Sequence, residues 1–188
     1  MGTRCLTVMI DDSGDEPKEM GVMYRQFDGY PDGHGVDLHN FLLGFKLYNG
    51  YPSNVTGKAA NGAGCLWAQI ISYFKETLSE VKHEGNIQRV ATLPIGNQDN
   101  GEYLEQLKKQ NYTIGDFYLE APGTRDMNEE YVYFIYYNSP TIDSFMVKQS
   151  EVKPYPVSLV CNNVYDSKTE MDITYGVNEN GELYEQNV

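Results

Sequence analysis

The chain has 188 residues with 40% hydrophobic and 13% aromatic content, which is typical of one globular domain and excludes a disordered chain. Its net charge of −13 disfavours extended nucleic acid as a partner, because phosphate backbones repel an acidic surface. The sequence has no apolar run of the roughly 18 residues that a membrane-spanning helix needs, and its three cysteines are far apart, so we expect a cytoplasmic protein with no membrane partner.

The first two predicted elements form a hairpin. Apolar residues at alternate positions predict a strand over residues 3–11 and a second strand over 20–27. The residues between them, DDSGDEP at 11–17, favour a turn, so antiparallel pairing is the simplest arrangement. In such a hairpin Arg4 lies close to the segment from Arg25 to Asp28.

Two main helices follow the hairpin. Leu38, Phe41, Leu42 and Phe45 have the spacing of one helix face, which predicts a helix that ends near Gly50. A second apolar stripe predicts a longer helix that Gly85 ends; it consists of Trp67, Ile70, Ile71, Phe74, Leu78 and Val81. A short third helix is predicted over residues 102–110.

Strands dominate the second half of the sequence. Clear strands are predicted over 117–119 and 131–137, and the latter has no polar face, so we expect it to be central. Weaker strands are predicted over 143–148 and 157–161. The Asn180-Gly181 pair suggests a terminal hairpin.

These elements predict the fold class. We expect a single α+β domain over residues 1–188, built of two layers, with an antiparallel or mixed sheet and two main helices. The polar residues at 178–188 are predicted to include a frayed tail.

The segment MYRQFDGYPDGHG, residues 23–35, holds an arginine, two carboxylates, two tyrosines and a histidine. Its glycines allow backbone N–H groups to approach a ligand, and the start of the predicted helix offers further donors and a positive dipole end. These features predict a cradle for a small anion. The predicted ligand-binding residues are Arg4, Tyr24, Arg25, Asp28, Tyr30 and His34.

Each of these side chains has a chemical role to offer. Arg4 and Arg25 could hold phosphate, and Tyr30 could stack on a ring. Asp28 or Asp32 could orient His34 or bind a ribose hydroxyl. If the protein is an enzyme, His34 is the candidate acid or base. The alternative is an ordinary turn in which Asp28 pairs with Arg4.

Two other segments are weaker candidates. Residues 61–65, NGAGC, precede the long helix near Lys58, but they lack the ending of a phosphate-binding P-loop and are interpreted as a helix cap. Arg125 is interpreted as part of an exposed salt bridge. The sequence contains no metal-binding motif, and we expect neither a metal nor a cofactor.

Three segments carry a resemblance to a known family: Gly2-Thr3-Arg4, the loop from Tyr24 to Pro31, and residues 129–133. Here the chain resembles a family of short uncharacterised phage and bacterial proteins with an N-terminal Thr-Arg strand and an aromatic-Asp-Gly-Tyr-Pro loop. The resemblance covers mainly residues 1–50 and 117–137. It implies a phage counter-defence protein, although the family has no established reaction.

Three functional hypotheses follow. The first is a sponge that binds a small anionic, nucleotide-like ligand and thereby sequesters a bacterial immune signal. The second is a phosphodiesterase-type enzyme that cleaves a cyclic nucleotide in the same site, and the third is an acidic interaction protein or DNA mimic. Because symmetric dimers are common, a homo-oligomer could share the site between subunits.

Overall fold

The computed structural model describes residues 2–48, 55, 57–77, 80–83, 86–89, 117–138 and 157–186. These residues form a seven-stranded mixed sheet with two helices, so the predicted α+β class is confirmed. In chain order the elements are β1 Cys5–Asp11, β2 Lys18–Arg25, α1 Val36–Leu42, β3 Lys46–Tyr48, β4 Ala59–Asn61, α2 Gly62–Thr77, β5 Glu80–His83, β6 Asn86–Arg89, β7 Phe117–Glu120, β8 Tyr131–Tyr137, β9 Val157–Asn163, β10 Thr169–Val177 and β11 Leu183–Glu185.

The large sheet has the strand order β11-β10-β9-β8-β1-β2-β7. β1 pairs antiparallel with β2, which places Cys5 opposite Arg25 and confirms the predicted hairpin. β1 also pairs parallel with β8, so that Cys5 lies opposite Tyr131 as well. The strand predicted to be central, β8, is the middle strand of the seven. Two smaller sheets pair β3 with β4 and β5 with β6.

Alternation along the strands divides the buried side chains between two faces of the sheet. We call the face covered by α1 and α2 the inner face; Cys5, Met9 and Met23 pack there with residues of both helices. The opposite, outer face holds a smaller cluster that includes Leu6 and Tyr24. Met127, from the loop 121–130, packs against this smaller apolar cluster. None of the described helices is long and apolar enough to span a membrane.

The first helix is shorter than predicted. It ends at Leu42 rather than near Gly50, and β3 follows almost at once. The chain leaves the helix at Leu43, whose ψ is 134°, and Gly44 with a φ of +79° completes a type II turn in which Phe45 N donates to Leu42 O at 3.2 Å. Phe45 is therefore outside the helix, although it is buried in the core as the apolar spacing suggested.

The second helix also ends earlier than predicted. α2 stops at Thr77, and Val81 lies in β5, where it pairs with Gln88 of β6. Val81 is an apolar residue between the polar residues Glu80 and Lys82, and this pattern fits a strand as well as one face of a helix. The predicted stop at Gly85, the helix over 102–110 and the strand over 143–148 lie outside the described residues.

The C-terminal part contains a hairpin at the predicted place. β10 and β11 pair antiparallel, and Gly181 between them has a φ of +79°. Leu183 is buried, and its backbone N–H and C=O also bond to Phe45 and Gly44, respectively. Strand β11, within the segment 178–188, therefore links the large sheet to the chain that enters β3.

The end of α1 is capped by a lysine from a distant segment. Lys58 Nζ donates to the carbonyl oxygens of Phe41 at 3.0 Å, Leu43 at 3.2 Å and Asn40 at 3.4 Å. The last carbonyls of a helix have no partner within it and carry the negative end of its dipole. Lys58 thus serves a helix C-terminus rather than the glycine-rich segment 61–65.

Lys58→Met should lower the free energy of unfolding by roughly 1–2 kcal/mol, because three carbonyls lose a charged donor. Urea denaturation at pH 7 measures this change. Lys168→Met is the matched control, since Lys168 forms only an exposed pair with Glu170 and such pairs contribute below about 1 kcal/mol. Equal losses in the two variants would contradict the capping role.

Candidate functional site

The loop 28–35 directs its histidine into the protein interior. A π-helical turn, Pro31–Gly35, runs directly into α1, and His34 at its end is 0% exposed. The imidazole ring centroid lies 4.7 Å from that of Phe74 in α2 and 5.0 Å from that of Tyr133 in β8. His34 is therefore part of the inner core and does not face a substrate.

Both ring nitrogens of His34 have partners. Arg25 Nη1 lies 3.0 Å from Nδ1, and Thr7 Oγ1 lies 2.6 Å from Nε2. Because a guanidinium can only donate, Nδ1 accepts, and the proton of the neutral ring belongs on Nε2, which donates to Thr7. Burial, and secondly the charge of Arg25, hold the pKa of His34 well below its ordinary value.

Arg25 is buried in the same network. It is 7% exposed, its Nη1 lies 3.6 Å from Asp37 Oδ2, and its guanidinium covers the ring of Phe117 at 5.0 Å. Asp37 belongs to α1, so the arginine joins β2 to that helix. The network of Thr7, Arg25, His34 and Asp37 is called the buried histidine network below.

The N–H groups that we predicted for an anion are engaged within the loop. Gly29 N donates to Thr3 O at 2.9 Å, Gly33 N to Tyr30 O at 3.0 Å, and His34 N to Asp28 O at 3.1 Å. A side chain at Gly29 would come within 2.8 Å of the Cys5 Cβ atom. This glycine therefore allows the loop to lie against β1, and its N–H is used to hold the loop there.

Arg4 and Arg25 lie on opposite faces of the sheet. Their backbones are close, as the hairpin predicts, because Arg25 pairs with Cys5, the neighbour of Arg4. Alternation then directs the Arg25 side chain to the inner face and that of Arg4 to the outer face. The two side chains do not converge as the sequence suggested.

On the outer face Arg4 shares one end of the sheet with two tyrosines, Tyr24 and Tyr118. The rings of Tyr24 and Tyr118 are 4.6 Å apart, and the Tyr24 hydroxyl donates to Gln26 Oε1 at 2.5 Å. Burial raises the pKa of both tyrosines, and the charge of Arg4 opposes the rise in each. Tyr118 is 43% exposed. We call Arg4, Tyr24, Gln26 and Tyr118 the outer cluster.

The remaining predicted residues lie in the loop between these groups. Tyr30 is exposed, with its ring edge close to Gly33, and Asp28 has a φ of +55° and bonds to His34 N through its carbonyl. The six predicted residues thus separate into Arg4 and Tyr24 on the outer face, Arg25 and His34 inside, and Asp28 and Tyr30 on the loop.

Sequence reasoning did not single out Thr7, Asp37 or Tyr118. Tyr118 is adjacent to Tyr24 only because β7 pairs with β2 in a register that places them opposite each other. Arg125 forms the predicted salt bridge, with Nη2 2.8 Å from Glu19 Oε2. Within the described part of the chain, no three His, Cys, Asp or Glu side chains are grouped so as to hold a metal.

The buried histidine network makes stability depend on pH. The folded pKa of His34 is below the unfolded value near 6.5, so the unfolded state binds the extra proton. This contribution is complete above pH 6.5 and declines as the pH falls towards the folded pKa. Between pH 7.5 and 5.5 the free energy of unfolding should therefore fall, because the unfolded chain gains a proton that folded His34 does not take up.

Urea denaturation at the two pH values measures the fall. His34→Gln should remove this component, whereas His39→Gln, which changes a half-buried histidine of α1, should retain it. A wild-type protein equally stable at pH 7.5 and 5.5 would show that His34 does not stay neutral in the folded state.

Comparison with known proteins identifies no relative of this chain. No family model, no curated protein and no solved structure matches the chain. The resemblance to short phage and bacterial proteins stays a prediction, and the function has to be inferred from the geometry of the site.

Proposed function

We propose that the protein is a non-catalytic binder of a small anionic ligand with a flat ring, such as a nucleotide, and that the outer cluster binds it. The observation that supports this proposal is that Arg4 and the half-exposed ring of Tyr118 lie on the same face at one end of β1, β2 and β7, close enough for the charge of Arg4 to act on the Tyr118 hydroxyl. A cation next to an accessible aromatic ring matches the two parts of a nucleotide, its phosphate and its base.

Arg4 differs from two other arginines because no described carboxylate forms an ion pair with it. Arg25 is bound to His34 and Asp37, and Arg125 is bound to Glu19. Among the described carboxylates, none forms an ion pair with Arg4. In a chain of net charge −13, a half-buried arginine without a carboxylate partner is a local attraction for an anion.

The tyrosines supply the second half of the site. Tyr24 is buried and fixed through its hydroxyl, and it supports Tyr118 from one side at a ring separation of 4.6 Å. The exposed part of the Tyr118 ring is left for stacking. A base stacked on an aromatic side chain contributes about 1–3 kcal/mol, enough to add to an arginine–phosphate contact.

A binder of this kind acts by sequestration. The ligand would be released chemically intact, as expected for a sponge that sequesters a signalling nucleotide. The phosphodiesterase alternative gains no support from this geometry, because His34 is buried and both its nitrogens are engaged. The acidic-mimic alternative depends on the net charge alone and predicts that Arg4 is dispensable.

The proposal is tested by incubating the protein with cyclic dinucleotides and ADP-ribose-type nucleotides. Native mass spectrometry then detects the complex, and heat denaturation releases the ligand for a second mass measurement. We expect release of an intact ligand. A released ligand of changed mass would contradict a non-catalytic function, and no complex with any nucleotide would overturn the proposal.

Arg4→Ala should weaken binding of the nucleotide found in this way by at least tenfold, which corresponds to about 1.4 kcal/mol. Calorimetric titration measures the change. Arg125→Ala is the matched control, since it removes the same charge from a salt bridge elsewhere on the outer face. Equal affinities for Arg4→Ala and the wild type would remove the outer cluster from the site.

A further inference from the structure

A cavity of about 260 Å³ lies between α2 and the two strands at the end of the sheet. Its walls come from Met23 of β2, from Ile71 and Lys75 of α2, and from Phe117, Tyr118 and Leu119 of β7. Ile71 and Lys75 are four residues apart and therefore lie on one side of the helix. The proposed nucleotide site shares only Tyr118 with the walls of this cavity.

The walls are apolar apart from one charged group. Lys75 Nζ donates to Phe117 O at 3.3 Å, and within the described part of the chain this carbonyl is its one acceptor. An ammonium group has three N–H donors, so two remain for a ligand. The Arg25 guanidinium, on the ring of Phe117, adds a second positive charge behind one wall.

We infer that this cavity binds a small aromatic carboxylate. The charge of Lys75 selects an anion, and the surrounding apolar surface favours a ligand whose remaining atoms are hydrophobic. Two free N–H groups suit the two oxygens of a carboxylate, whereas a phosphate would leave buried oxygens without donors.

The size of the cavity agrees with one substituted ring. A dry cavity of about 150 Å³ is known to hold benzene, and this cavity is larger by the space of a short substituent. Phe117 and Met23 offer the aromatic and thioether contacts that rings prefer. Leu119, 56% exposed at the sheet edge, lies where a ligand enters.

The test uses 4-(trifluoromethyl)benzoate as the probe and 4-(trifluoromethyl)benzamide as its uncharged counterpart. Fluorine NMR line broadening, titrated with the full chain, measures the affinity of each. We expect the benzoate to bind at least tenfold more tightly than the benzamide. Equal affinities, or no broadening of the benzoate at 1 mM, on the order of the weakest useful affinities, would overturn the inference.

Two pairs of variants locate the probe. Lys75→Gln should abolish the preference for the benzoate and Lys75→Arg should keep it. Leu119→Glu puts a repelling carboxylate at the exposed entrance and should weaken benzoate binding at least tenfold, while Leu119→Gln should have a smaller effect. Benzoate binding unchanged in Lys75→Gln or in Leu119→Glu would exclude the cavity.

Arg4→Ala separates this site from the nucleotide site. Tyr118 borders both, but Arg4 is on the outer face, so the variant should keep its benzoate affinity. If Arg4→Ala lost the benzoate as well, the probe would be bound at the outer cluster and the cavity would be excluded.

Discussion

The hydrogen bonds of one buried imidazole hold the central part of this structure together. His34 accepts from Arg25 of β2 and donates to Thr7 of β1, and it reaches both because the loop before α1 turns inward. The direction of these bonds is fixed, since a guanidinium cannot accept. One neutral ring therefore sets the position of the first hairpin, the loop and the start of α1 relative to one another.

The position of β7 follows from this arrangement. Arg25, held by His34 and Asp37, covers the ring of Phe117, and this contact fixes the inner side of the last strand of the sheet. Alternation then places Tyr118 on the outer face beside Tyr24. Both proposed ligand sites are built on this four-residue strand, one on each of its sides.

The sequence predicted the elements better than it predicted their ends and faces. The periodicity of β1, β2, β7, β8 and β9 was sufficient to locate them, because it reflects burial on the sheet. Helix α1 ended early in the turn formed by Leu43 and Gly44, and glycine alone does not reveal which φ it adopts. Met171, Ile173 and Tyr175 alternate in the same way along β10, a strand that the sequence predictions omit.

The composition of the candidate site depends on the pairing register of β1 and β2, which cannot be read from the sequence. Residues near each other in a hairpin share a face only if their parity matches, and a one-residue slip reverses every side chain. In this hairpin the register shifts between Met9 and Ile10, because β2 carries one extra residue, Met20, between their partners Gly21 and Glu19. Proximity of Arg4 and Arg25 was thus predictable, but their separation onto two faces was not.

The two most reactive residues of the segment 23–35, Arg25 and His34, belong to the core, so our proposals place ligand binding elsewhere. A buried arginine keeps its proton, so its charge must be balanced inside the protein. Asp37 supplies the negative charge, and the neutral ring of His34 accepts a hydrogen bond from the guanidinium. Loss of Asp37 would leave the charge of Arg25 without its ion pair, and loss of the His34 ring would leave a buried N–H donor without its acceptor. The histidine and arginine that looked most like an active site therefore stabilise the fold, and the two proposed ligand sites rely instead on Arg4 and Lys75, which lie outside the buried histidine network.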